Sequence, residues 1–555
     1  MICSKIVSSM EKCFLDGDIS SLSEVDRVST LRNEQISLQL AYTCTEVVDH
    51  HEHLLSVRLT GDLAPFVRLR RVESVPVTLP CYLDRYDEEY LRTTPGLYPD
   101  LLLPLTYGGK VNVSSRQLRT IWIDLLPGEG FPVGDHRLTL SLLKGEEVVS
   151  EQHVTLHVID AELPENQLFV TQWFHCDCLA QYYGVETFSE KHWEIIERFA
   201  QTAVKNGINT LLTPVFTPPL DTFVGGERPT TQLVGVKVEQ GKYTFDFSLL
   251  ERWIEMCNRT GIKYFEIAHF FTQWGAAHAP KVVATVDGVE KKIFGWETKA
   301  DGEEYTFFLH RFLEEFLRFM KARGDDHRCF FHVSDEPSLE HLDQYQRSKQ
   351  VIREILADYV IIDALSNFDF YEQGVVDCPI PATDHIEPFL RAKIPNRWTY
   401  YCCSQSRQVS NRFLAMPGAK TRCIGMQFFK YDIAGFLQWG YNYYNNRHSH
   451  DMINPYQDTC ADYAFPAGDS FSVYPAPDGS AYESMRLLHF REALEDCAAM
   501  RLAAELAGRQ QVIEAMEELV GEIRFDRCLT KSEELLSLRE RVNCIIEEKI
   551  KSKNS

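Results

Sequence analysis

The 555-residue sequence is short of positive charge. Its 57 lysines and arginines stand against 80 aspartates and glutamates, a formal net charge of −23. Nucleic acid and anionic membrane surfaces are bound through basic patches, so neither is an expected partner. No apolar run approaches the ~20 residues of a membrane span. The N-terminus, Met1-Ile2-Cys3-Ser4-Lys5 onward, has no continuous hydrophobic stretch of the kind a secretion signal requires, and the chain reads as cytoplasmic. The 16 cysteines contain no Cys-x-x-Cys pair, only Cys176-x-Cys178 and Cys402-Cys403 as close sets. That spacing does not suit a zinc site and fits buried thiols in a reducing compartment. No glycine-rich phosphate fingerprint follows the first parallel strand, which weighs against a doubly wound nucleotide-binding sheet. No metal and no cofactor are expected.

What is present is ordinary globular material, 44% hydrophobic and 25% charged. The 12% aromatic content suits both a large core and a sugar-binding cleft. Residues 1–30 are polar with partial helical patterning and are expected to form an arm or a short helix. From 31 to 162 the period is two: Ile36, Leu38 and Leu40, then Leu55 to Leu59, Val67 and Leu69. An irregular Pro- and Tyr-rich segment, Pro76 to Pro104, interrupts it. The strands Arg119–Leu125, His136–Leu142 and Val154–Val158 follow, the last two about a hairpin tip at Lys144-Gly145-Glu146. Short alternating strands with regular turns predict a β-sandwich. From 163 to 480 strand alternates with helix. Strands are expected near Leu168, Thr210, Lys263, Cys329, Tyr359, Val376 and Trp398, and at Ile424–Phe428 and Gly435–Trp439. This grammar predicts an α/β fold, a (β/α)8 TIM barrel, with helices over 481–555 that cap it or make the contact of a homo-oligomer.

Barrels keep their chemistry where the strands end. Read there, the sequence offers Trp173 and His175, His269 and Trp274, Asp384, Tyr400, Gln427, and Trp439 with Tyr441 as groups that stack on or hydrogen-bond a sugar. The run Cys329-Phe330-Phe331-His332-Val333-Ser334 is an apolar strand that stops at Asp335-Glu336-Pro337, since proline lacks an amide donor. Two carboxylates held together raise at least one pKa, which suits a general acid. Adjacent residues do not give the ~5 Å spacing across a site that ordinary retaining glycosidases use. They do suit hydrolysis in which the substrate's own 2-acetamido oxygen attacks the anomeric carbon. A protein nucleophile such as Glu266 or Asp363, or a carbohydrate-binding protein without catalysis, are the alternatives.

His332-Val333-Ser334-Asp335-Glu336-Pro337 resembles the catalytic strand end of glycoside hydrolase family 123, including its DUF4091 members. The resemblance continues in order over about residues 110–500. It includes Trp122-Ile123-Asp124 with Pro127 and Gly134, Tyr400-Tyr401-Cys402-Cys403, and Asn411-Arg412-Phe413. Further on it takes in Gly435-Phe436-Leu437-Gln438-Trp439-Gly440-Tyr441-Asn442, Tyr474-Pro475, and Ser484-Met485-Arg486 to Arg491. It implies an exo-acting, retaining β-N-acetylgalactosaminidase whose partner is a terminal N-acetylhexosamine of a glycan. In it Glu336 is the general acid/base, Asp335 orients the acetamido group, Trp439 walls the sugar subsite and Tyr400 bonds the acetamido oxygen.

Overall fold

A computed structural model describes residues 2–48, 53–105 and 108–554. The N-terminal region holds two five-stranded sheets that share a core of Leu, Ile and Val, among them Leu40, Ile121, Leu140 and Leu156. Alternation along Ile36–Cys44 and Arg119–Leu125 sends one set of side chains into that core. Gly145, at φ 63°, turns the long hairpin Gly134–Lys144/Glu147–Ile159.

Two expectations change here. Ile2–Ser8 is not an arm or a helix but a strand, paired antiparallel with Ile36–Cys44, because Ile6 and Val7 bury completely. Gly96–Pro104, inside the segment read as irregular, is also a strand. It lies at the edge of its sheet, where a proline's missing amide costs little.

The central sheet has eight parallel strands: β1 Phe169–Gln172, β2 Thr210–Thr213, β3 Tyr264–Ile267, β4 Cys329–Phe331, β5 Val360–Ala364, β6 Cys378–Ile380, β7 Trp398–Tyr400 and β8 Gly435–Gln438. They pair in chain order, β8 returns to β1, and the single bridge Ala382–Tyr400 links β6 to β7. The result is a nearly closed parallel barrel with helices between successive strands. The apolar run Ile424–Phe428, expected as a strand, is helical over Ile424–Lys430. A short, fully buried apolar run carries no period that separates strand from helix. Three helices, Met485–Ala507, Arg509–Val520 and Ser532–Asn554, complete the chain.

Sheets and barrel meet through buried charge. Arg486, in the first of these helices, binds both carboxylate oxygens of Asp100 at 2.9 Å, and both side chains are fully buried. Arg70 reaches Glu483 at 2.6 Å and Asp124 at 2.8 Å, while Lys205 from a barrel helix holds Glu483 at 2.9 Å. Burial raises the Glu483 pKa, but Arg70 and Lys205 outweigh it and keep the carboxyl well below its usual range. Among the described residues no helix is long and apolar enough to cross a membrane.

Candidate active site

Beyond Phe331 the chain leaves the ladder, and β5 catches it. Asp363 Oδ1 accepts from the amides of Val333 (2.9 Å) and Ser334 (3.2 Å). The Asp335 carbonyl accepts from the Trp274 amide at 2.9 Å, and the Glu336 amide donates to the Ala364 carbonyl at 3.1 Å. Glu336 sits at φ 43°, in the left-handed region that side chains other than glycine seldom adopt. Strain of this kind persists where the surroundings over-determine it. Its effect is that successive residues, which on a regular strand face opposite ways, both line one cavity of about 280 Å³.

Trp173, Trp274, Tyr400 and Trp439 line the same cavity. Carboxylates fix two of these walls from behind. Trp173 Nε1 donates to Glu266 at 2.7 Å, and Trp439 Nε1 to Asp469 at 2.9 Å. Trp274, 39% exposed, stands with its edge to His448. The Tyr400 hydroxyl donates to Glu336 Oε1 at 2.5 Å.

The other five expected residues are placed elsewhere. His175 immediately precedes the helix Cys176–Tyr183, and its Nε2 lies 2.9 Å from the Trp439 carbonyl. Burial and the neighbouring Arg228 lower its pKa to about 3, so it is a neutral strut behind the wall. His269 stacks on His332 at 4.1 Å beneath the cavity. Asp384 accepts from Gln405 and pairs with His385, bracing the turn after β7. Gln427 lies on the outer helix Ile424–Lys430 and donates to the Arg524 carbonyl. Tyr441 donates to the Phe199 carbonyl and stacks on Phe174.

Unforeseen lining groups are Asp221, Gln273, Arg447, His448 and Phe465. They come from irregular loops, where no period marks a residue as inward-facing. The acid after Pro218-Pro219 and the run Arg447-His448-Ser449-His450 were the available signals. Asp221 Oδ2 is engaged by the Tyr443 hydroxyl at 2.5 Å and the His448 amide at 3.0 Å.

Glu266 and Asp363 are fully buried below the cavity and are not among its lining. Glu266 accepts from Thr171, Trp173 and His332, and Asp363 from Tyr345 and two amides. Neither can serve as a nucleophile from there. His269, His332 and Asp363 bring donor atoms within 4.8 Å of one another. The two rings stack face to face, and both His332 nitrogens already meet carboxylates, so their lone pairs do not converge on a common point.

Burial raises both members of the acid pair. Asp335 is pushed well above the usual carboxylate range, by desolvation first and the charge of Glu336 second, with His332 pulling the other way. Glu336 is raised by desolvation and eased back by the Tyr400 hydrogen bond. The Glu336 side chain is nonetheless open to the cavity, so the larger shift belongs on Asp335. The pair therefore titrates as a unit and holds a proton more readily than two separate acids.

A family model described as glycoside hydrolase 123, catalytic domain, matches residues 173–503, more than half of the chain. Among solved structures, a family 123 glycoside hydrolase from Clostridium perfringens, studied for glycolipid glycan hydrolysis, aligns with TM-score 0.73 at 14% identity, covering 99% of this chain and 98% of that one. A family 39 glycoside hydrolase from Bacteroides cellulosilyticus gives TM-score 0.32 at 9% identity, covering 88% and 82%. A β-glucuronidase from Ruminococcus gnavus gives 0.29 at 9%, covering 88% and 72%. No curated protein matches the chain.

Proposed function

This chain belongs to glycoside hydrolase family 123, and we propose that it is an exo-acting β-N-acetylgalactosaminidase that releases terminal β-linked N-acetylgalactosamine with retention, assisted by the substrate's own acetamido group. The observation that carries this reading is the bend at Glu336, which brings two neighbouring carboxylates into one aromatic-walled cavity. We read the parallel sheet as a (β/α)8 barrel with this cavity at the carboxyl ends of its strands. The Clostridium perfringens relative hydrolyses glycolipid glycans, and we extend that substrate class to this chain.

The sugar lies between Trp173 and Trp439. Asp335, as carboxylate, takes the acetamido N–H and turns the carbonyl oxygen toward the anomeric carbon. That oxygen forms the new C–O bond as the glycosidic bond breaks, and Glu336 gives its proton to the departing oxygen. Water then opens the oxazolinium while Glu336 takes the proton back. In the free protein Asp335 holds the shared proton more tightly than Glu336. An acetamido N–H favours the Asp335 carboxylate, so binding moves the proton to Glu336, where the leaving group needs it. In the free protein Tyr400, expected on the acetamido oxygen, bonds Glu336 and supports its ionised form.

The test is hydrolysis of paired aryl β-N-acetylgalactosaminides and β-N-acetylglucosaminides, with the product anomer followed by NMR. Release of the β-anomer of N-acetylgalactosamine is expected, and inertness toward both series would overturn the reading. A protein-nucleophile route would have to use Asp221, the remaining carboxylate lining the cavity among the described residues. A trapped glycosyl ester at Asp221, with fast cleavage of sugars lacking the acetamido group, would establish that route.

Tyr400→Phe removes the hydrogen bond that lowers the Glu336 pKa. The acid then stays protonated to higher pH, so the alkaline fall of kcat should move up by about 1–2 pH units, the worth of one charge-assisted hydrogen bond. The rate should drop by roughly tenfold. An unmoved alkaline limb would separate Tyr400 from the acid.

A further inference from the structure

We propose that His332 is a positioning residue of this reaction: an imidazolium held between Glu266 and Asp363, it favours the ionised form of Asp335 and ties that carboxylate's strand end to the Trp173 wall. The proposal rests on the substrate-assisted reading above.

The argument begins with donors and acceptors. His332 Nε2 lies 2.7 Å from Glu266 Oε1, and Nδ1 lies 3.3 Å from Asp363 Oδ1. Ionised carboxylates only accept, so a ring that satisfies both carries a proton on each nitrogen. All three side chains are fully buried, and a neutral ring would turn one bare nitrogen lone pair toward a buried carboxylate oxygen. Burial opposes the charge on His332, but the hydrogen bonds to Asp363 and Glu266 overcome it and push its pKa up to about 9.

The groups around the ring are consistent with that assignment. From β3 come Glu266 and, just beyond the strand, His269, which desolvation and the nearby His332 charge keep neutral. From β5 comes Asp363, which also accepts from the Tyr345 hydroxyl. From its own segment comes Asp335, three residues on. Asp335 also feels Glu336, Asp363 and Asp221, all of which raise its pKa, and His332 is the cation that opposes them. Glu266 extends the link to substrate, since the oxygen facing His332 also accepts from Trp173 Nε1. One buried chain, Trp173–Glu266–His332–Asp363–Tyr345, thus connects a sugar wall to the bend that carries the acid pair.

The experiment reads protonation first in the free protein, where no substrate choice enters. With ¹⁵N-histidine and ¹³Cγ-aspartate labels, His332 should show two protonated nitrogens at pH 7. In His332→Gln the Asp335 carboxyl should titrate about one pH unit or more higher than in the wild type, the loss of one nearby opposite charge. The acidic limb of kcat should also move up, since Asp335 must be ionised in the complex. At fixed neutral pH kcat should fall at least tenfold with KM little changed. If His332→Gln does not fold, Glu266→Gln takes its place: it removes one partner of the ring, and the His332 titration should move from near 9 toward its ordinary range. A singly protonated His332 at pH 7, or an Asp335 titration unmoved in a folded variant, overturns the proposal. Inertness of the wild type toward acetamido sugars, with the NMR shifts as expected, would instead overturn the substrate reading and leave the His332–Asp335 coupling intact.

Discussion

Glu336→Gln is expected to slow hydrolysis of a glycoside with a sugar leaving group by about 10³-fold, within the usual contribution of a positioned general acid. Gln keeps the side chain's size and the backbone at φ 43° is already formed, so the loss reports chemistry rather than shape. A sugar alkoxide is a poor leaving group and must be protonated as it departs. A nitrophenolate leaves without much help, so the variant's deficit on that substrate should be many-fold smaller. The variant should also lose the alkaline limb of its pH profile. In the wild type that limb follows loss of the proton from Glu336, whose pKa burial has raised. The measurement is kcat for the two leaving groups from pH 5 to 9. Equal losses on both would show that Glu336 protonates nothing in the transition state.

Asp335→Asn should cost roughly 10²–10³-fold in kcat on acetamido sugars, comparable to removing one preorganised electrostatic partner. As the acetamido oxygen attacks, positive charge develops on the nitrogen, and only an ionised partner strengthens its hold at that moment. Asn offers a dipole at best. The sign of the pH effect follows from the direction of the shift. Asp335 works as carboxylate, so in the substrate complex, where the proton has moved to Glu336, wild-type kcat should fall as pH drops and Asp335 takes up a proton. That acidic limb should flatten in the variant, which has no proton to gain there. A wild-type rate for Asp335→Asn, or an acidic limb that survives it, would remove Asp335 from the mechanism.

The residues differ in how far the sequence alone revealed them. The sandwich strands and barrel units showed themselves through period, and Asp335-Glu336-Pro337 through an apolar run broken by charge. Trp173, Trp274, Tyr400 and Trp439 could be named because a strand end is recognisable and a large aromatic there has few places to go. Gln427 failed because a run of five residues, Ile424–Phe428, is equally good as buried helix. Asp221 and His448 went unread because loops have no period to mark a residue as inward-facing. His332 was read only as part of a strand. Its meaning depends on Glu266 and Asp363, which lie 66 positions before it and 31 positions after it. Nothing in a linear chain announces that three neighbouring strands will set those groups side by side.

The Arg486–Asp100 clasp has a consequence for how such a chain can change over time. Separated from the preceding sheets, the barrel and its C-terminal helices would carry a guanidinium with no acid to answer it, and the sheets would keep the orphaned acid. The front of the chain is therefore not a cassette that recombination can trade for another sugar-binding unit. The two portions are bound to be inherited as one piece, and new specificities must arise in the loops around the mouth.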